Sequence, residues 1–157
     1  MTLPPPMQYE TVFEISWQTF PWPVLIVGVT GFVLGAVVLA LRIKRGSRSW
    51  RIVGIALMIM GLVWCLKQVL DHHRMTRALA SQQAQVAEGL VSNYEFRMHD
   101  GHGFESFFVN GAGFHYSDFV PSGGYHQPAS QGGVIREGLM VRLHYLDNTI
   151  LKLEIAR

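Results

Sequence analysis

The sequence predicts an α+β protein in which a two-helix transmembrane hairpin is followed by a small five-stranded β-barrel of the OB or SH3-like kind. Three observations carry that prediction. Two apolar runs, Phe20 to Leu41 and Ile52 to Leu66, flank a loop rich in Arg and Lys. From Gly89 onward apolar and polar residues alternate with a period of two, the signature of half-buried strands. Glycine-containing turns separate the alternating stretches.

Residues 1–19 form an N-terminal tail that has Glu10 and Glu14 but no Lys or Arg. This is the reverse of a basic leader, and the apolar stretch that follows is too long for one, so a retained helix is expected. That helix, about residues 20–41, has no charged side chain. At about 1.5 Å rise per residue it crosses a hydrocarbon core of roughly 30 Å. The loop 42–51 contains Arg42, Lys44, Arg45, Arg48 and Arg51. Short loops rich in Lys and Arg stay cytoplasmic, which places both termini on the outer side of a bacterial inner (plasma) membrane. Lys67, Arg74 and Arg77 beyond the second helix weigh the other way.

The second helix spans about residues 52–70, with Lys67 snorkelling toward the interface. Trp17, Trp22, Trp50 and Trp64 lie near the expected boundaries and read as membrane-interface anchors. Gly28, Gly31 and Gly35 on the first helix and Gly54 and Gly61 on the second line small-residue stripes, fitted to a hairpin seam or to a homo-oligomer face. Residues 71–88 contain good helix formers and extend the second helix as a stalk, closed by Gly89.

The barrel is assigned to residues 89–157. Its clearest hairpin runs from Leu139 to Leu146, turns at Asp147 and Asn148, and returns from Thr149 to Ile155. A second pairs Phe104–Val109 with Phe114–Asp118 around Asn110–Gly113, and a fifth strand lies near Leu90–Met98. Short strands with tight turns favour a closed barrel over an open sheet with unprotected edges.

Charge narrows the function. Residues 1–84 hold eight Lys/Arg against three Asp/Glu, whereas residues 85–157 hold five against eight. An acidic soluble half lacks the footprint for a phosphate backbone, so no nucleic-acid partner is expected. Cys65 is the sole cysteine, which excludes an intrachain disulfide and a paired-cysteine zinc site.

Two sets of residues are candidates for chemistry. His99, Asp100 and His102 sit in a glycine-rich loop and could offer two imidazoles and a carboxylate to a metal ion, although such a loop is also an ordinary solvated turn. Tyr116, Ser117 and Asp118, with Tyr125 and His126 from the long connection 120–137, could form a binding surface for a peptide, a glycan or another subunit. No nucleophile elbow surrounds Ser117, and no phosphate-binding loop joins a strand to a helix.

The segment Glu105 to Glu154, through Phe107, Val109, Gly111, Phe114, Tyr116-Ser117-Asp118, Gly132-Gly133, Ile135, Gly138, Val141-Arg142, Tyr145, Asn148, Ile150 and Leu153, resembles a small β-rich domain of uncharacterised bacterial membrane proteins. More loosely, two helices followed by Gly133, Ile135, Gly138 and Val141 resemble NfeD-like membrane proteins, which carry a C-terminal OB domain. The resemblance implies architecture and transfers no catalytic residue.

The expected function is therefore a non-catalytic, membrane-anchored binding or interaction module without a cofactor. Its partners would be the lipid bilayer and a protein partner or homo-oligomer. Two alternatives stay open: a ligand-sensing membrane effector or immunity-type protein that oligomerises through its helices, and a metal-dependent or hydrolytic enzyme.

Overall fold

The computed structural model describes residues 8–42, 48–99, 102–118 and 123–157. It is an α+β protein in two compact units, Pro21–Arg74 and Met1–Phe20 with Met75–Arg157. The elements in chain order are β1 (Tyr9–Glu14), α1 (Trp22–Arg42), α2 (Arg48–Ala80), β2 (Gln85–His99), β3 (His102–Val109), β4 (Ala112–Ser117), β5 (Met140–Leu146) and β6 (Thr149–Ala156).

Both helices are long and apolar enough to cross a membrane. Pro23 stands in the first turn of α1, where its missing N–H leaves no helical bond unmade. The linking segment is shorter than expected, because Arg48 and Arg51 already belong to α2; residues 43–47, with Lys44 and Arg45, lie outside the described residues. Lys67 pairs with Asp71 one turn on, at 3.0 Å.

The stalk also ends earlier than expected, at Ala80 rather than Glu88. Gln82 takes a left-handed φ of 55°, the Gln83 N–H reaches the Ala78 carbonyl at 2.9 Å, and the Gln82 N–H reaches that of Leu79 at 3.2 Å. This is a Schellman stop built on glutamine, so Gly89 is not the terminator and instead lies inside β2.

The β region is a six-stranded open antiparallel sheet in the order β1-β6-β5-β2-β3-β4, which corrects the expectation of a closed five-stranded OB/SH3-like barrel. The sixth strand comes from the tail, where Tyr9 pairs with Ala156 and Phe13 with Leu153. A bulge at Val12 bends that edge strand. The other edge, β4, meets the β5–β6 turn through a side-chain bond, Asn148 Nδ2 to His115 Nδ1 at 2.9 Å, rather than through a backbone ladder.

Two tight turns set the register. Asn110–Gly111 (φ 48° and 81°) and Asp147–Asn148 (φ 48° and 73°) both hold positive φ at their two central positions, the twist that a two-residue hairpin requires. The fifteen-residue β2 joins the halves of the sheet, pairing with β5 over Gln85–Leu90 and with β3 over Val91–His99. Between Ser92 and Glu95 its register slips, and Asn93 is left-handed at φ 52°.

One core results. Phe107, Val109 and Phe114 from β3 and β4 pack with Val141, Leu143, Ile150 and Leu153 from β5 and β6. The Phe114 ring meets Tyr145 edge-on with centroids 5.0 Å apart. A slip in β6 buries consecutive residues, sending Ile150 into this core and Leu151 into a second cluster with Ile15 and Ala78. Above the main core, the connection after residue 122 lays down Tyr125, Pro128 and Ile135, all buried.

Candidate functional site

Glu105 organises the site. On β3 it shares a face with Phe107 and Val109, so strand alternation sends its carboxylate inward, and it is 2% exposed. Three donors satisfy it. Tyr94 Oη donates to Oε1 at 2.8 Å, the Ala129 N–H donates to the same oxygen at 2.5 Å, and Tyr116 Oη donates to Oε2. The Ala129 bond ties the connection between β4 and β5 down onto β3. Tyr116 in turn meets the ring of Tyr125 edge-on at 5.3 Å, and the Tyr125 oxygen accepts the Val134 N–H at 3.3 Å.

A cleft of about 460 Å³ opens beside this group. β4 supplies His115, Tyr116 and Ser117, the β5–β6 turn and its exit supply Asp147 to Ile150, and Glu105 and Tyr125 complete the inner wall. Its volume falls in the range of small-ligand sites. Phe104, Glu95 and Arg97 extend the lining, the last two paired at 2.6 Å.

Three of the five residues expected to form a binding surface, Tyr116, Ser117 and Tyr125, therefore converge on one cleft, while Asp118 and His126 do not line it. Asp118 accepts from the Gly103 N–H at 3.2 Å and from Gln131 Nε2 at 2.7 Å, and so fastens the start of β3 to the short helical turn Ala129–Gln131. The His126 ring is exposed, with Nδ1 2.8 Å from the Gly124 carbonyl oxygen. As part of a binding surface Tyr125 is expected to present its ring to solvent, and that is corrected: it is 4% exposed, because Phe13 and Tyr116 pack edge-on against its ring. Residues 120–122 of the connection lie outside the described residues.

Of the metal candidates, Asp100 lies outside the described residues, and His99 and His102 are described by their backbones, which pair across β2 and β3. Among the described residues no group of three His, Cys, Asp or Glu side chains could hold a metal ion.

The helix glycines sit at the α1–α2 seam. A methyl on Gly35 would lie 2.6 Å from the Gly54 carbonyl oxygen, one on Gly54 3.0 Å from that of Gly35, and one on Gly28 3.0 Å from that of Gly61. Gly31 is less crowded, its nearest atom being the Gly61 Cα at 3.8 Å. Trp64 takes part in the same seam, donating Nε1–H to the Val24 carbonyl at 3.1 Å. Trp17, Trp22 and Trp50 are 52%, 59% and 46% exposed.

The sequence names Glu105 only as part of the resemblance and not among the candidate site residues. Its signal was an acidic residue in phase with the apolar positions Phe107 and Val109. The electrostatic consequence falls on the phenols. Burial, then hydrogen bonding to Glu105, then its charge push Tyr94 and Tyr116 well above the ordinary tyrosine range. A raised folded-state value makes the neutral phenol a stabilising contribution that is complete below the unfolded tyrosine value of about 10 and lost as pH rises above it. The urea midpoint of the sheet unit should therefore stay level from neutrality to pH 9 and fall steeply above pH ~10. Absorbance of tyrosinate should lag behind that of a denatured control. A midpoint that ignores pH up to 12 would contradict the buried phenol–carboxylate arrangement.

Comparison of the chain with protein-family models, curated proteins and solved structures finds no match.

Proposed function

We propose that the protein is a membrane-anchored, non-catalytic binding module, with α1 and α2 spanning the bilayer and the sheet unit presenting the cleft beside Glu105. The single observation that carries the reading is the surface of the hairpin. Only 17% and 11% of the most apolar windows of the two helices are buried within the protein, leaving side chains such as Ile26, Leu41, Ile59 and Leu62 at least 57% exposed. An apolar surface of that extent calls for lipid.

In this reading the basic segment between the helices is cytoplasmic and the sheet unit lies on the outer side of the membrane. The cleft is read as a binding site: the Ser117 hydroxyl donates to Asp118 at 3.3 Å, while His126 Nδ1 faces the Gly124 carbonyl oxygen at 2.8 Å. The glycine stripes are consumed inside the hairpin, which favours an anchor over assembly through those faces.

The test has two parts. After alkaline carbonate washing of membranes the protein should remain in the pellet. In a Cys65→Ala background, a Ser130→Cys variant should react with a membrane-impermeant maleimide added to intact spheroplasts. Release into the carbonate supernatant would refute the anchor, and labelling confined to permeabilised cells would refute the orientation.

A further inference from the structure

The strand register sorts the cleft lining into two faces. Across β2, β3 and β4, Glu95, Ser106 and His115 stand directly opposite one another, and in the neighbouring row Arg97 stands opposite Phe104. Directly paired residues share a face, as do residues two apart on a strand, so these five side chains belong to one surface. Glu105 and Tyr116 are one residue out of phase and turn toward the core instead. Asn148 reaches the outer surface from the β5–β6 turn, where its Nδ2 donates to His115 Nδ1 at 2.9 Å. At about 4.8 Å between strands, the three strands give a patch about 10 Å wide, and five of its side chains with Asn148 line the same cleft.

The chemistry of this patch is mixed but balanced. Glu95 and Arg97 hold each other at 2.6 Å, so the two rows favour neither a cation nor an anion. Carboxylate, guanidinium, hydroxyl, imidazole and amide together offer acceptors and donors side by side. A wholly apolar ligand would strip water from these groups without replacing its hydrogen bonds. Phe104 supplies the one apolar side chain of the six, and it is 40% exposed. Phe108 is also exposed on this face, but it does not line the cleft, and its ring covers Gly113, where a methyl would come within 3.0 Å of Phe108 Cε1.

We propose that this outer surface binds a neutral saccharide. The C–H face of a pyranose ring lies on Phe104, whose ring face is the negative side of its quadrupole. Sugar hydroxyls, each both donor and acceptor, bridge Glu95, Arg97, Ser106 and Asn148. The ligand class rests on the reading of the sheet unit as a binding module, yet is tested apart from it, since carbonate extraction and maleimide labelling involve no sugar.

The experiment is saturation-transfer NMR on the full-length protein in lauryldimethylamine oxide, a detergent without a sugar headgroup. Four probes are compared: cellobiose, N,N′-diacetylchitobiose, mannitol, which has hydroxyls but no ring, and acetyl-Gly-Ser-Gly-amide. At least one disaccharide should receive saturation from the protein's aromatic protons, and mannitol and the peptide should not. Its affinity should be the same in about 0.1 M and about 1 M salt, where the screening length falls from about 10 Å to about 3 Å. Phe104→Ala should weaken binding about tenfold, and Phe108→Ala should leave it unchanged. Both side chains face away from the core, so neither substitution opens it. The proposal fails if neither disaccharide binds, if mannitol binds as well as they do, if salt changes the affinity several-fold, or if the two alanine variants behave alike. Binding of the peptide alone would also overturn it, while leaving the sheet unit a binding module.

Discussion

Replacing Glu105 by leucine should lower the stability of the sheet unit by about 3 kcal/mol or more, the largest loss expected from any single side chain outside the apolar core. The size follows from what is left behind. Leucine accepts nothing, so the Tyr116 hydroxyl and the Ala129 N–H lose their acceptor in a largely buried setting, and Tyr94 loses one that water replaces only in part. A buried donor without a partner costs about 1–3 kcal/mol. The added apolar contact of leucine offsets a fraction of that sum. Glutamine should cost less, about 1–2 kcal/mol, because its carbonyl still accepts and its amide can donate to a phenol oxygen. Urea unfolding followed by far-ultraviolet circular dichroism, with the helices as an internal constant signal, gives both values. The connection should also respond: limited proteolysis between residues 123 and 137 should be several-fold faster in the leucine variant, since the Ala129 bond is gone. A leucine variant as stable as the parent would show that the carboxylate is dispensable.

How much of this was legible in the sequence depends on how local each signal is. The turns Asn110–Gly111 and Asp147–Asn148 announce themselves, because left-handed backbone favours these residues at adjacent positions, and the strands on either side follow in register. The apolar helices are equally plain. β1 was not recognised as a strand because its partner is remote: Thr11 and Glu154 are 143 residues apart, and nothing beside Tyr9–Glu14 forms a hairpin with it. The same segment carries Phe13, which packs against both clusters, so a tail by local pattern is a structural strand by long-range pairing. Closure was also beyond local reading. Whether a sheet becomes a barrel depends on whether its two outer strands meet, and here bulges in β1, β2 and β6 bend the sheet without bringing β1 to β4. For the cleft, Tyr116, Ser117 and Tyr125 were identified by residue type, while Glu105 was readable only by asking which face of β3 it occupies.

The helical unit yields the second large effect. Gly61→Leu should open the hairpin seam, whereas Gly31→Ala should leave it intact, although both put a side chain onto a glycine in the same packed pair. The distinction is spatial. A methyl on Gly61 would meet α1 backbone, the Gly28 carbonyl and the Phe32 nitrogen, the latter at 2.7 Å, and backbone cannot rotate away as a side chain can. On Gly31 the nearest atom stands at 3.8 Å, ordinary van der Waals contact. Overpacking costs about 1–3 kcal/mol, and in a bilayer no hydrophobic term between helices compensates a lost close approach. Alanine in place of Gly31 adds helix propensity instead, about 0.8–1 kcal/mol in water-soluble hosts. Cys65 is a native reporter, because its Sγ lies where a Gly28 methyl would come to 2.5 Å and contacts the Leu25 carbonyl at 3.8 Å. An increase of about 1.4 kcal/mol in the free energy of the closed seam raises the open population tenfold. Alkylation of Cys65 by N-ethylmaleimide in micelles should accordingly be about ten times faster in Gly61→Leu than in the parent and unchanged in Gly31→Ala. Equal rates in all three proteins would mean that the glycines do not hold the helices together. A faster rate in Gly31→Ala would mean that the close approach extends further along α1 than the packing of Gly28 and Gly35 against α2 implies.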